Sequence, residues 1–369
     1  MRIKEIFPFV LLVLFFACQE RTEKKSITND STYVIPEMKV KPFEEGLALF
    51  TEPVFIKLKS NDIETDFSRV GKVKLVGDKL FLLDSRMKSL VVYQITGEAI
   101  GKVGKKGQGP NEYLDIADFD VDEQQTIYAI DGRQNKLFIY DSDFKFKSAE
   151  KLPFAVDKIQ LLENGMYMFA LSSWNKGEGA GNRIAITDNK CNVVRTYLPY
   201  DEYIDENFWI SDYQLTKTKD HILYNKTIDN NVYLFSLDGT LQKPITFDFG
   251  KENVPNEKKK DIEKYLKDFD SYSLLKDFTV IYSDIVLGTF WEHRKNKVFL
   301  LDTQKQILYK SKEWEGSYNS IYTGFCDSTL ISIIAPDSYE ASLDYKRLSS
   351  ELLDHLDNGD FILALRMIK

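Results

Sequence analysis

The chain has 369 residues, of which 43% are hydrophobic, so it can bury one large core or two smaller ones and is not a disordered tail. Its formal net charge of −8 argues against nucleic acid as a partner, because a phosphate backbone selects basic surfaces. Phe, Tyr and Trp together make up 13% of the residues, a content that favours twisted β-structure over an all-helical fold.

The first predicted element is a signal peptide over residues 1–17. A basic start with Arg2 and Lys4 precedes an apolar run over residues 6–16. This run is too short to cross a membrane as a helix, which needs about 20 residues. The residues that lead to Cys18 resemble a bacterial lipobox, and lipidation of Cys18 would make the membrane a partner of the chain. The alternative is an ordinary signal peptide that is cut nearby, with Cys18 incidental.

The next segment, residues 18–45, is predicted to be a flexible tether because it is polar, charged and poor in periodic apolar positions. Residues 46–369 are predicted to form one folded domain. Two cysteines lie in that domain, Cys191 and Cys326, and 135 positions separate them. The sequence leaves two arrangements open for them, two free thiols or a single disulfide, and it implies no disulfide scaffold.

An internal repeat at an offset of 47 residues is the most informative feature of the domain. Residues 79–93 match residues 126–140: each copy has an apolar run, an Asp, a small residue, an Arg and a second apolar run that ends in Tyr. This pattern predicts two short strands around a turn. Weaker copies of the strand pair follow at residues 165–188, 221–235, 285–302 and 329–365. Six pairs predict an all-β fold, a six-bladed β-propeller with four-stranded antiparallel blades.

The end of the chain bears on how the ring closes. The last copy ends close to Lys369 and lacks a fourth strand. Residues 54–58, which precede the first copy, are predicted to supply that strand and close the last blade. Residues 255–276 and 338–356 carry apolar residues at helical spacing and are predicted to be inserted helices. They either pack over the propeller or bind a partner.

A Gly-rich run, GKVGKKGQGPNEY, lies at residues 101–113 between the first two copies, and residues 119–122 and 127–131 follow it in the second. With these segments the chain resembles the six-bladed β-propeller lipoproteins of Gram-negative bacteria, whose blades are similar to NHL repeats. Their run ends in Gly-Pro-Gly-Glu-Tyr or Phe, and this chain has Asn111 where that pattern has its last Gly. The resemblance implies a lipoprotein of the cell envelope, in the outer membrane, that faces the periplasm or the cell surface. It implies no biochemical activity.

The Gly-rich run is not predicted to bind phosphate. A P-loop places Gly-Lys-Ser/Thr between a strand and a helix, whereas this run has no Ser or Thr after its lysines and lies between β-segments. The glycines are predicted to allow a sharp passage from blade 1 to blade 2, with positive φ and close backbone approach.

No metal, cofactor or catalytic residue is predicted. The three histidines are isolated, and no Ser, His and Asp can be grouped from the sequence. Asp118 and Asp120 resemble the start of a calcium loop, but Glu123 stands where the tight-turn Gly belongs. Strand alternation explains them, because residues two apart share one face, with a divalent cation at the channel mouth as the alternative.

The turn between the second and third strands of a blade must emerge at the same end as the link to the next blade. A ligand site is predicted at that end, and its candidate residues are Arg86, Arg133, Trp174, Trp291 and His293. Arg can bind carboxylates or phosphates, and Trp offers an apolar face with a polar group. In the alternative, Asp84 and Asp131 cap their own turns, the arginines pair with neighbouring blades, and the tryptophans pack between blades.

Three functions remain open from the sequence. The first hypothesis is a lipid-anchored, non-catalytic binding module for a glycan, a peptide or a protein. The second is a hydrolase or lyase that acts on sugar-derived substrates, with carboxylates or a divalent cation at the central channel. The third is a structural subunit of an envelope assembly, which would expose a wide apolar patch.

Overall fold

A computed structural model describes residues 32–60, 67–200, 215–226, 228–261, 264–265, 267–314 and 320–369. Within these residues, 26 strands form six sheets, which follow one another along the chain as blades. The predicted six-bladed β-propeller is therefore confirmed. The predicted signal peptide and Cys18 lie outside the described residues.

The strands are numbered in chain order. Three come before the first blade: β1 (Thr32–Val34), β2 (Lys39–Pro42) and β3 (Val54–Lys57). Blade 1 contains β4 (Val70–Val76), β5 (Lys79–Asp84), β6 (Ser89–Gln94) and β7 (Ala99–Lys102). Blade 2 contains β8 (Ile116–Val121), β9 (Ile127–Asp131), β10 (Lys136–Tyr140) and β11 (Phe146–Lys151). Blade 3 contains β12 (Val156–Leu161), β13 (Tyr167–Leu171), β14 (Asn182–Thr187) and β15 (Val193–Pro199).

The second half of the ring follows the same order. Blade 4 contains β16 (Leu215–Lys217), β17 (Ile222–Lys226), β18 (Asn231–Phe235) and β19 (Ile245–Asp248). Blade 5 contains β20 (Ser273–Tyr282), β21 (Ile285–Glu292), β22 (Lys295–Asp302) and β23 (Ile307–Lys310). Blade 6 contains β24 (Gly324–Cys326), β25 (Thr329–Ile334) and β26 (Ile362–Met367).

The N-terminal strands complete three blades. Strand β3 pairs antiparallel with β26 as the fourth strand of blade 6, which confirms the predicted closure of the ring. Strands β1 and β2 add a fifth, parallel strand to blades 4 and 5. Residues 32–42 were predicted to belong to the tether, and for them that prediction is wrong. These strands have only three and four residues, too few to show a period, and their partners lie more than 200 positions away.

The hydrophobic core lies between the blades. Leu80 and Leu82 of β5 pack in the cluster between blades 6 and 1, whereas Phe81 and Leu83 pack in the cluster between blades 1 and 2. Because both faces of a blade are buried, the strand is a continuous apolar run and does not alternate with polar residues. This double burial is the physical basis of the repeat.

Two segments interrupt the regular connections. The blade 4–5 insertion, residues 249–272, holds helix α2 (Asn256–Lys259), and the blade 6 insertion, residues 335–361, holds helix α3 (Ser350–Asp357). A short helix α1 (Phe43–Gly46) lies between β2 and β3. The predicted helices are too long: residues 273–276 belong to β20, and α3 begins only after Ser349, whose Oγ accepts the Leu352 N–H at 3.4 Å. None of the helices in the described part of the chain is long and apolar enough to span a membrane.

The two cysteines of the domain are free thiols. Cys191 is buried and Cys326 is half-buried. Burial raises the pKa of the Cys191 thiol to about 12 and that of Cys326 to about 11, so both stay protonated at neutral pH and are poor nucleophiles. Of the two arrangements that the sequence left open, the structure shows free thiols.

Candidate functional site

We call the end of the propeller that carries the turn between the second and third strands of each blade the loop face. In blade 1 the Ser85 backbone N–H of this turn donates to the Arg69 carbonyl at 2.8 Å, so the turn contacts the link that leads into β4. The antiparallel order of the strands requires this proximity. The blade 6 insertion joins β25 to β26, the second and third strands of its blade, and therefore emerges at the same face.

A buried aspartate organises the loop face of blade 1. The Asp84 carboxylate is 1% exposed and accepts backbone N–H bonds from Arg86 and Met87 at 2.8 Å and from Ser68 at 2.6 Å. The first two bonds cap the turn, and the third fixes the incoming link. Hydrogen bonds to a carboxylate are stronger than those between neutral groups. Asp84 therefore holds the link and the turn against each other.

The same arrangement recurs in the next two blades. In blade 2, Asp131 accepts the N–H of Arg133 in the turn at 2.9 Å and the N–H of Leu114 in the incoming link at 2.6 Å. In blade 3, Asn175 accepts one N–H from its turn at 2.9 Å and one from its link at 3.1 Å. The interpretation that Asp84 and Asp131 cap their own turns is thus confirmed. The role of Asn175 was missed because the third copy of the repeat is weak.

The two arginines of the repeat differ in their partners. The Arg133 Nε lies 2.5 Å from the Asp115 Oδ2, and the Lys106 Nζ lies 3.3 Å from the same carboxylate. Arg133 therefore pairs with the link of its own blade and not with a neighbouring blade. Arg86 is exposed and forms no ion pair with any residue that the structure describes.

A cleft opens at the loop face between blades 6 and 1, with a volume of about 480 Å3. We call it the 6–1 cleft. It is lined by residues of both blades and of the blade 6 insertion: Ser68, Arg69, Val70, Arg86, Ser320, Ile333, Ile334, Ala335, Asp337, Ser338, Ser342 and Phe361. The Phe361 ring packs on Phe67 with centroids 4.5 Å apart, which holds one apolar wall in place. The cleft combines hydroxyls, two guanidinium groups, one carboxylate and an apolar surface.

Of the five predicted ligand-binding residues, Arg86 is the one that lines this cleft. Trp174 lies in the turn of blade 3 and is 68% exposed, so it is not packed between blades. Trp291 packs against the buried cluster that includes Phe269 of the blade 4–5 insertion. The His293 Nε2 lies 3.5 Å from a Glu252 oxygen of that insertion. The candidates are thus spread around the loop face, and their ligand-binding role stays a prediction.

The inner-strand carboxylates of blade 2 are engaged in ion pairs. The Asp118 Oδ1 lies 2.9 Å from the Lys72 Nζ, and Asp120 pairs with Lys74, which joins β8 to β4 of blade 1. The two carboxylates lie two positions apart on β8 and both face lysines of β4, as strand alternation predicts. Across the described ranges no group of three or more His, Cys, Asp or Glu side chains is placed to hold a metal ion.

The Gly-rich run folds around its own glutamate. The Glu112 Oε2 accepts the Gly109 N–H at 2.9 Å, and the Glu112 Oε1 lies 2.7 Å from the Lys105 Nζ. Gly104 has a φ of +62°, and a Cβ there would lie 2.6 Å from the buried Tyr140 ring. Both observations fit the predicted tight passage between blades and the need for glycine.

The model of the DUF4934 family, described as a domain of unknown function, matches residues 50–358. A candidate exported protein of Bacteroides fragilis has a similar structure, with a TM-score of 0.69, 19% identity and coverage of 87% of this chain and 96% of that one. A DUF4221 family member from Bacteroides vulgatus gives a TM-score of 0.55 and 8% identity, with coverage of 87% and 97%. At these identities the likeness establishes the fold alone. No curated protein matches the chain.

Proposed function

We propose that this chain, which belongs to the DUF4934 family, is a non-catalytic binding module of the cell envelope that holds a glycan, a peptide or a protein segment in the 6–1 cleft. The cleft itself carries the proposal. It is concave, offers polar and apolar groups together, and has a volume of about 480 Å3, which lies in the range of ligand sites, about 300–1,000 Å3. The carboxylates that the enzymatic alternative needs are instead paired with Lys72, Lys74 and Arg133.

The location in the envelope rests on the N-terminal sequence. The apolar run that leads to Cys18 fits a lipoprotein signal, and the similar Bacteroides fragilis structure is described as that of a candidate exported protein. A diacylated and N-acylated Cys18 would hold the chain on a membrane, since each buried methylene contributes about 0.8 kcal/mol. The membrane is then the first partner of the protein.

Replacement of Cys18 by Ala is expected to move the protein from the membrane fraction to the soluble fraction of the envelope. The variant keeps the export signal but has no thiol to carry the lipid. Fractionation of cells that produce the full chain, followed by immunoblotting, measures the distribution. A Cys191→Ala variant is the matched control and should stay with the membrane. Retention of the Cys18→Ala variant on the membrane would contradict the anchor.

Ligand binding is tested with the full chain in a thermal unfolding screen against neutral and acidic glycans, peptides, divalent cations and a chelator. A ligand at 100 times its dissociation constant is expected to stabilise the protein by about 2.7 kcal/mol. A Ser338→Trp variant fills the cleft and should abolish the shift, whereas Ser142→Trp, on the turn between β10 and β11 at the opposite end, should retain it.

Two results would contradict the proposed function. One is a panel in which no glycan or peptide raises the unfolding temperature. The other is a destabilisation by chelator that a divalent cation reverses, which would indicate a metal site and favour the enzymatic alternative.

A further inference from the structure

Blades 1 and 2 carry opposite charges at one equivalent position of the loop face. In blade 2, Ile116 pairs with Asp131 at the start of β8, and Asp115 precedes it. In blade 1, Val70 pairs with Asp84 at the start of β4, and Arg69 precedes it. The buried aspartates bind the residue before each of these, Leu114 and Ser68, at the same distance of 2.6 Å. Arg69 is therefore the structural counterpart of Asp115.

Because blade 1 has Arg69 where blade 2 has Asp115, the charges next to the turn between the second and third strands differ in the two blades. In blade 2, the Asp115 carboxylate forms an ion pair with Arg133 at 2.5 Å and a second one with Lys106 at 3.3 Å. In blade 1 the corresponding pair is Arg69 and Arg86, two cations on segments that Asp84 and the hydrogen bond from Ser85 to Arg69 hold together. Two like charges held at neighbouring positions repel each other, and an anion bound between them offsets that cost.

The guanidinium groups of Arg69 and Arg86 line the 6–1 cleft, and neither forms an ion pair with any residue that the structure describes. The one carboxylate of the cleft, Asp337, accepts the Ser338 hydroxyl at 3.1 Å. Its charge leaves the lining with one net positive charge, in a chain whose formal net charge is −8. The buried Asp84 carboxylate lies behind this lining, bound by the N–H groups of Ser68 and Arg86, so the exposed side chains of Arg69 and Arg86 are the cationic groups of the cleft that an anion can reach.

We infer that the ligand of the 6–1 cleft is an acidic saccharide whose carboxylate binds between Arg69 and Arg86; the inference rests on the proposed function. Guanidinium groups bind carboxylates with two parallel hydrogen bonds. Four serine hydroxyls, which both donate and accept, line the same cleft and match the hydroxyls of a sugar ring. Phe361 and Ile333 offer an apolar surface for the C–H face of the ring.

The test measures dissociation constants by calorimetry on the full chain at low and high salt. The probes are the disaccharide of galacturonic acid, the neutral disaccharide of galactose, and an Asp-rich tripeptide. The acidic disaccharide is expected to bind about tenfold or more tightly than the neutral one, because hydrogen bonds to charged groups are stronger than those between neutral groups. The difference should shrink at high salt.

The decisive variant is Arg69→Asp, which gives blade 1 the Asp–Arg pair that blade 2 already has. It should fold as the wild type does and lose about tenfold or more in affinity for the acidic disaccharide. Lys190→Asp makes the same change in charge on an exposed turn of blade 3 and should bind as the wild type does.

Three outcomes would overturn the inference in distinguishable ways. In the first outcome the neutral disaccharide binds as tightly as the acidic one, and this binding is insensitive to Arg69→Asp but abolished by Ser338→Trp. This result would leave the proposed function in place and refute the inference that the ligand is acidic. Binding of the Asp-rich peptide alone, sensitive to Arg69→Asp, would replace the saccharide by a peptide. Binding of no probe, or binding that Ser338→Trp does not affect, would count against the cleft itself.

Discussion

Asparagine in place of Asp120 is expected to lower the free energy of unfolding by about 3 kcal/mol. The carboxylate is 1% exposed and lies on β8. It pairs with Lys74 of blade 1 and accepts the Leu161 backbone N–H of blade 3 at 2.7 Å. An amide turns one acceptor into a donor and leaves Lys74 without its counter-charge, so contacts to both neighbouring blades weaken. Urea unfolding of wild type and variant measures the difference.

The control for this prediction is Asp143→Asn. Asp143 is 75% exposed and lies 3.8 Å from the Lys145 Nζ, so its loss should leave the unfolding transition unchanged within error. The Asp120→Asn, Lys74→Met double variant should lose less free energy of unfolding than the two single variants lose in sum, because Lys74→Met removes the uncompensated ammonium group. Equal stability of the Asp120 and Asp143 variants would show that the buried ion pair contributes nothing.

The contribution of the Asp120 carboxylate to the free energy of unfolding should also depend on pH and should be lost at low pH. Burial alone raises the pKa of this carboxyl, but the ammonium groups of Lys74 and Lys72 and the Leu161 N–H outweigh it and hold the pKa below its ordinary value of 3.8. Such a group stabilises the fold above its unfolded pKa, and the effect is lost as the pH falls through the lower, folded pKa. The stability difference between wild type and Asp120→Asn should therefore be constant near neutral pH and shrink below a pH of about 3.8.

Replacement of Asp344 by Ala is expected to lower the free energy of unfolding by about 3–5 kcal/mol, because it leaves the Arg366 guanidinium buried without its carboxylate. Asp344 is 2% exposed in the blade 6 insertion and pairs with Arg366, 4% exposed, on β26. Ser338 and Ser342 of the same insertion line the 6–1 cleft, so ligand affinity should fall with stability. Urea unfolding and the calorimetric titration described above measure the two effects.

The matched control lies on the same insertion. Glu351 of α3 pairs with Lys57 but is 77% exposed, so Glu351→Gln should leave the unfolding transition unchanged within error. Adding Arg366→Met to Asp344→Ala should restore part of the lost stability, because it removes the buried charge. If the second change restores nothing, the loss comes from packing of the insertion and not from the uncompensated guanidinium.

The structure shows where the candidate residues lie, and their ligand-binding role stays a prediction. The loop face, the turn caps Asp84 and Asp131 and the place of Arg86 all follow from the repeat, because turn residues act on their own backbone. Arg69 was missed because it lies outside the matched residues 79–93. Comparing the segments that precede the first strands of blades 1 and 2 would have found it opposite Asp115.

The sequence by itself determined the six strand pairs, and with them the six blades, and the closing strand β3, because double burial gives continuous apolar runs and turn residues separate the two strands of each pair. Only the tertiary structure decided the parallel additions of β1 and β2, the short helices of the two insertions and the pairing of Lys72 and Lys74 with Asp118 and Asp120. The 6–1 cleft is also a feature that only the tertiary structure decided, since its walls come from distant parts of the chain. Local patterns report whether a residue is buried, whereas the identity of its partner depends on how neighbouring blades pack around the ring.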